Sequence, residues 1–317
     1  MALFYFSIFI ISFIVLAYSS KWLVKALTKI AKFLGWKEFV VALFTMALAG
    51  AIPNLSVGIS SALHKIPQLS FGDIVGGNIV DLTLAVALAV LISRDGLSLP
   101  SRVVQGSAIF TLIIAILPLL LVFDGVISQA DGLVLIITFI TYTVWLFSKK
   151  ERFSKEYDHV KNPLKFKDIF KNLGILFFTI ILLFIAAEGI VRSATFFSEF
   201  LNFPITLIGI LVIGLGNAMP EIFFSIQAAR RENDWMVLGN LMGSIIVPAT
   251  LVLGIVALIH PIEIDNFSPF AIGRFFLIIS AIFFFIFLRT GKKITKKEAV
   301  FLLLIYFAFL LTEILFM

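Results

Sequence analysis

Apolar residues along this 317-residue chain fall into long unbroken runs separated by short polar stretches. Ten runs cover roughly residues 2–20, 39–63, 70–92, 103–123, 131–148, 168–191, 205–229, 235–259, 268–289 and 298–316. Each is near the ~20 residues that an α-helix needs to cross a hydrocarbon core of ~30 Å. The runs are continuous rather than alternating, which argues against strands. The pattern predicts an all-α integral membrane protein with ten transmembrane helices. Lys149 to Lys171 is the most polar stretch and holds eight basic residues. A charge block of this kind reads as a solvated linker. It separates a first five-helix unit, residues 1–148, from a second, residues 168–317, with the linker at 149–167.

The two units repeat one another. Leu48-Ala49-Gly50-Ala51-Ile52-Pro53-Asn54 recurs as Leu215-Gly216-Asn217-Ala218-Met219-Pro220-Glu221. Further on, Gly72-Asp73-Ile74-Val75-Gly76-Gly77-Asn78-Ile79-Val80-Asp81 recurs as Gly239-Asn240-Leu241-Met242-Gly243-Ser244-Ile245-Ile246-Val247-Pro248. Asn54 and Glu221, Gly72 and Gly239, and Asp81 and Pro248 are all 167 positions apart. One gap-free offset across two motifs points to a duplication. With five helices per unit the second enters the membrane from the opposite side. The repeats are therefore expected to be inverted about an axis in the membrane plane. Lys and Arg accumulate on the cytoplasmic side of membrane proteins. The connections after runs 1, 3, 5, 7 and 9 carry 22 of the 25 basic residues, and the other side has Lys65, Arg192 and Arg274. Both termini are expected outside and the linker in the cytoplasm. The compact chain without a long regulatory loop suggests a prokaryotic inner membrane.

Composition narrows the class. At 61% hydrophobic and 14% charged, with mean hydropathy +1.10, the chain lies outside the range of soluble domains. Its 36 Phe residues suit lipid-facing helix surface. The net charge of +6 sits between the runs, not on a soluble basic face, so no nucleic-acid partner is expected. The expected partners are the lipid bilayer and inorganic cations, with the chain a monomer. There is no Cys and hence no disulfide framework. Met1 to Ala17 has no basic segment before it, and Lys21, Lys25 and Lys29 follow it. That order favours a retained first helix over a cleaved signal.

Polar residues inside the runs mark the candidate chemistry. Pro53 and Pro220 sit within the second and seventh runs. Each lacks an N–H, so the carbonyls of Ala49 and Gly216 lose their helical partner. Gly50 and Gly216 loosen the same turns. A freed carbonyl in lipid needs protein, water or an ion. Glu221 follows Pro220, and a carboxylate at that depth normally faces a cavity, a partner or an ion. Asn217 and Ser225 lie four residues to either side, on the same helical face. Asn54, the repeat partner of Glu221, offers an amide oxygen without charge. Asp73, Gly77 and Asp81 recur every four residues and share one face of the third run. Gly77 leaves room for close approach, and Asn78 lies beside this stripe. The same face in the repeat reads Asn240, Ser244 and Pro248. Asp81 should lie as deep as Glu221, whereas Asp73, nearer the outer end, is either solvated or part of the centre. Ser244 adds a hydroxyl. Broken-helix carbonyls complete the set, with Ala47, Gly50 and Gly214 as candidates. Hard oxygen ligands suit Na⁺, Ca²⁺ or Mg²⁺ rather than Zn²⁺ or copper. Such ions would be cargo, and no cofactor is expected. His64, His159 and His260 fall at helix ends or in the linker and read as interfacial.

These motifs resemble the two alpha repeats of the calcium/cation antiporter superfamily, most closely its sodium/calcium exchanger branch. That family carries a Gly-Thr-Ser-x-Pro-Glu core and then a Gly-Asn-x-x-Gly-Ser-Asn core in each half. Asn217-Ala218-Met219-Pro220-Glu221 and Gly239-Asn240-Leu241-Met242-Gly243-Ser244 follow the pattern in the second half. The resemblance covers the whole chain. It implies exchange of cations by alternating access, with ions held between the second, third, seventh and eighth helices while the first and sixth slide across them. The chain departs from the pattern at Asn54, where the family has an acidic residue, at Pro248, where exchangers usually have Asp, and at Asp81, usually Asn. Gly50, Ala51, Asn217 and Ala218 replace the threonines and serines of the two cores. Counting Asp81 and Glu221 alone gives a central charge of −2, enough for one Ca²⁺ or for two Na⁺ or H⁺. That count implies fewer monovalent ions per divalent ion than the family norm.

The reading is thus a cation:cation antiporter, moving Ca²⁺ against Na⁺ or H⁺, and not an enzyme. Exchange of other cations, or ion binding without transport, remains open because Glu is missing at position 54. An unrelated ten-helix small-molecule carrier would instead need a roomy, aromatic-lined cavity. An intramembrane protease would need a Ser–His pair or two facing catalytic Asp residues.

Overall fold

The computed structural model describes residues 1–33, 38–98, 102–148, 166–232, 234–264, 267–290 and 293–316, with the helical backbone alone for 30–33, 38–50, 102–105, 166–169, 267–269 and positions 20, 24, 27, 28, 147 and 235. Thirteen helices follow in order among these residues. They are α1 (Ala2–Phe33), α2 (Glu38–Leu63), α3 (Gln68–Val80), α4 (Val86–Ile92), α5 (Arg102–Leu121), α6 (Gln129–Ser148), α7 (Phe166–Leu201), α8 (Ile205–Ile208), α9 (Gly214–Arg230), α10 (Asp234–Val247), α11 (Leu253–Ile259), α12 (Phe267–Thr290) and α13 (Lys296–Leu315). Nine segments of the described residues are long and apolar enough to cross a membrane, and Ala51–Leu63 forms a shorter apolar helix. Most of the linker expected at 149–167, including His159, lies outside the described residues.

Two helices outrun their apolar stretches. α1 reaches Phe33 rather than residue 20, and α7 reaches Leu201 rather than residue 191. Hydropathy falls where Lys21 and Arg192 enter, but a charged side chain does not interrupt backbone hydrogen bonding. Its apolar stem still packs along the helix while its head reaches toward water.

The third and eighth runs are not single α-helices. Each contains one wide π turn, at Asp81–Ala85 between α3 and α4, and at Pro248–Val252 between α10 and α11. The two turns start 167 positions apart. Carbonyls displaced by such a turn must find donors inside the protein. Thr83 donates its hydroxyl to the Ile79 carbonyl, and Thr250 donates to the Ile246 carbonyl at 2.5 Å. These pairs are also repeat-related. A third π turn, Gly209–Ile213, joins α8 to α9. The corresponding part of α2 is plain α-helix. Pro53 and Pro220 lie inside continuous helix, so the loosening expected at Pro220 falls a turn or two earlier, at 209–213.

Strands occur after all, as four two-residue pieces outside the helices. Leu97–Ser98 (β1) pairs antiparallel with Lys293–Ile294 (β4), and Val126–Ile127 (β2) with Ile262–Glu263 (β3). Each ribbon joins a connection of the first unit to one of the second. Packing also exchanges partners between the units, with α4 on α13 and α11 on α6.

α1 and α7 pack along much of their length and share an apolar cluster that includes Phe9, Leu16, Leu183, Ala187 and Ile190. That cluster rests on Ile52, Val57, Ile208 and Ile213 and is separate from the main core. Gly189 makes the approach possible, because a Cβ there would strike the Ser12 hydroxyl. Small residues serve this purpose throughout membrane bundles. Glu188 of α7 links the pair to α2. It accepts from Ser60 Oγ at 3.1 Å and from Arg192 Nε at 2.6 Å, and it lies 3.1 Å from His64 Nε2. The other ring nitrogen of His64 is 2.9 Å from the Ser60 carbonyl.

Candidate functional site

The polar centre forms where α3 meets the α8–α9 segment at backbone distance. A Cβ on Gly76 would strike the Ile210 carbonyl oxygen and stand 2.7 Å from the Ile210 carbonyl carbon and Cα. One on Gly214 would lie 2.7 Å from the Gly77 nitrogen and 2.9 Å from the Asp73 carbonyl oxygen. Glycine at both places lets two helices approach without side chains between them.

This contact sets Asp73 opposite Asn217. Asn217 Nδ2 donates to both carboxylate oxygens of Asp73, at 3.0 Å each. Asp73 is 1% exposed, which settles the open alternative: it is buried in the protein and not solvated. It begins only about 8 Å below the start of α3, yet the α8–α9 segment covers it there. Three carboxyl groups are therefore buried at the centre, Asp73, Asp81 and Glu221, where the −2 count used only the last two. Asp73 and Asp81 stand about 12 Å apart along the helix axis. Among the described residues no three acidic or imidazole groups are grouped so as to hold one metal ion. Glu221, one turn beyond Asn217, is within electrostatic reach of Asp81 and, more weakly, of Asp73.

A second link crosses from α10. Ser244 Oγ lies 2.5 Å from Asp81 Oδ2, which accepts its hydroxyl, and 2.9 Å from the Leu241 carbonyl. Between the two links is a cavity of about 10 Å³, lined by Asn54, Ile74, Gly77, Asn78, Asp81, Asn217, Ala218, Glu221 and Ser244. That volume is on the scale of one water or one bare cation. Four oxygens of the lining residues are buried without a hydrogen-bond partner: Asn54 Oδ1, Asp81 Oδ1, Asn217 Oδ1 and Glu221 Oε2. All four are acceptors of the hard-oxygen type, which fits a cation and not an anion.

Six of the ten predicted site residues thus line the cavity. Asp73 and Gly214 lie just behind it, holding Asn217 and packing against Gly77. The side-chain surroundings of Ala47 and Gly50 lie outside the described residues. Asn78, 3% exposed, joins the lining although its position beside the Asp73–Asp81 stripe gave only a hint. Ile74 and Ala218 form the apolar wall and carried no sequence signal.

Long apolar helices around a cluster of buried, unpartnered acceptor oxygens point to the class of cation transporters. The comparisons with known proteins agree. The profile described as sodium/calcium exchanger protein matches residues 4–148 and again residues 171–315. The chain belongs to this sodium/calcium exchanger-like family of cation antiporters. It is 28% identical to the sodium/calcium exchanger MaX1 of Methanosarcina acetivorans, covering 96% of this chain and 97% of that protein. It is 22% identical to the inner membrane protein YrbG of Escherichia coli, over 87% and 86%. The putative antiporter CaxA of Alkalimonas amylolytica is 21% identical over 95% of both chains. The fold matches that of the sodium-calcium exchanger NCX_Mj soaked with Na⁺ and Sr²⁺, with a TM-score of 0.64 at 24% identity over 98% of this chain and 99% of the other.

Proposed function

We propose that the chain exchanges cations across a cell membrane by alternating access, moving Ca²⁺ against Na⁺ or H⁺ through the buried centre. The observation that carries this is the set of four unpartnered acceptor oxygens around a cavity of about 10 Å³. A buried acceptor without a donor costs roughly 1–3 kcal/mol, and a cation satisfies several at once. So small a space disfavours an organic substrate. The candidate ligands are Asn54, Asp81, Asn217, Glu221 and Ser244, with backbone carbonyls near Ala47, Gly50, Gly77 and Gly214. Three carboxyl groups must be neutralised before the centre can switch sides without exposing bare charge to lipid. One divalent with one monovalent ion would do this, as would three monovalent ions.

Ten crossings in two inverted units, 1–148 and 168–317, suit this mechanism. The twofold profile match at a spacing of 167, the paired π turns and the partner-exchanged ribbons support that architecture. The 22-to-3 distribution of basic residues supports termini outside and the linker in the cytoplasm. The name of MaX1 supports calcium as cargo.

The test is ⁴⁵Ca²⁺ uptake into liposomes holding the purified protein, with an outward Na⁺ or H⁺ gradient. Uptake driven by either gradient, and lost in Glu221→Gln, is expected. A folded wild type that takes up no calcium under either gradient overturns calcium exchange. Persisting transport in Glu221→Gln overturns the site assignment.

A further inference from the structure

An asparagine amide is nearly symmetric in shape but opposite in chemistry at its two ends. One end is an oxygen that accepts, and the other an NH₂ that donates. A cation beside Asn217 requires the oxygen, and nothing in the shape of the amide enforces that choice. Asp73 does. An ionised carboxylate is an acceptor only, so it binds the NH₂ end and repels the oxygen end. The two contacts of 3.0 Å from Asn217 Nδ2 to Asp73 are this arrangement. They leave Asn217 Oδ1 buried, unpartnered and on a residue that lines the cavity. Asp73 itself does not line the cavity.

Asp73 is also held firmly enough to serve as a reference point. It is 1% exposed. A Cβ on Gly209 would lie 2.9 Å from its nitrogen, and one on Gly214 would lie 2.9 Å from its carbonyl oxygen. The backbone of Asp73 is thus gripped by the same segment that carries Asn217. The repeat has no equivalent. The partners of Asp73 and Asn217 are Asn240 and Gly50, and glycine has no amide to orient.

We propose that Asp73 is a positioning residue that locks the Asn217 amide with its carbonyl oxygen toward the transported cation. The proposal rests on the cation-site reading above. In Asp73→Asn the shape is kept, but the new amide offers both a donor and an acceptor, so Asn217 can pair either way round. A fraction of the sites then presents NH₂ to the ion. The exchanged pair Asp73→Asn with Asn217→Asp restores a donor against an acceptor and returns a carboxylate oxygen to the cavity side.

The experiment is equilibrium binding of ⁴⁵Ca²⁺ and ²²Na⁺ to purified full-length protein, with flux in liposomes alongside. Asp73→Asn should bind the cation that wild type binds roughly tenfold or more weakly. It should raise KM by a larger factor than it lowers the maximal rate. The double variant should bind at least roughly fivefold better than Asp73→Asn alone, because the two sites are coupled. Unchanged affinity in Asp73→Asn overturns the proposal, and so does weakening without any rescue in the double variant, which would make Asp73 a ligand in its own right. Wild type that binds neither ion overturns the cation-site reading, and the proposal falls with it. Gel filtration and circular dichroism of each variant separate these results from misfolding.

Discussion

Alanine at Gly76 should loosen the contact between α3 and the α8–α9 segment. The added methyl at Gly76 meets the Ile210 backbone, with the carbonyl carbon and Cα both at 2.7 Å. Backbone cannot rotate aside as a flexible side chain can, so the α8–α9 segment must move away from α3. Overpacking of this kind costs about 1–3 kcal/mol, and occasionally more. A helical Gly→Ala change returns at most about 1 kcal/mol of propensity. A rigid backbone puts the cost at the upper end, so the net for Gly76→Ala is a loss of roughly 2 kcal/mol, together with a disturbed Asp73–Asn217 contact one turn away. Thermal unfolding in detergent, read by the monodisperse fraction on gel filtration, measures the loss, and Gly76→Ala should melt several degrees below wild type. A variant that melts with wild type would refute the claim that the Ile210 backbone stands where the methyl would go.

Ser244→Ala removes the donor to Asp81 Oδ2 and should cost about 1.5–3 kcal/mol of stability without cations; saturating cation should recover part of the loss in the same melting assay. Thr295 and Glu298 form a reciprocal cap at the start of α13, so Thr295→Ala should cost about 1 kcal/mol and speed amide exchange over residues 296–298.

Much of this architecture was legible because lipid imposes one rule: apolar runs become helices. The duplication was equally plain, since one offset aligned both motifs. The π turns were not. A wide turn leaves hydropathy unchanged, and its one trace was a pair of threonines, Thr83 and Thr250, sitting 167 positions apart. The burial of Asp73 stayed open for a different reason. Position along an apolar run measures distance from the membrane surface, whereas burial depends on which neighbour arrives. Here the neighbour is brought by Gly72, Gly76, Gly209 and Gly214, whose role depends on two segments that lie more than a hundred residues apart. The ends of α1 and α7 were placed short because hydropathy stops at the first charges and hydrogen bonding continues past them. The two prolines looked equivalent in sequence, yet Pro53 is buried and Pro220 exposed, a distinction set by packing alone.

The two polar links between the units, Asp73 to Asn217 and Asp81 to Ser244, share a direction. In both the acid belongs to the first unit and the donor to the second. The mirrored pairs would be Asn240 with Gly50 and Pro248 with Gly77, and neither can form such a bond. A carrier made of identical inverted halves has end states that are images of each other and equal in energy. If the chain works by the alternating access proposed above, reversal would find no matching bonds on the other side, and the images would be unequal. Such a carrier would be a rectifier: at equal ion gradients its two directions of turnover would differ in rate, and its resting population would collect on one side of the membrane.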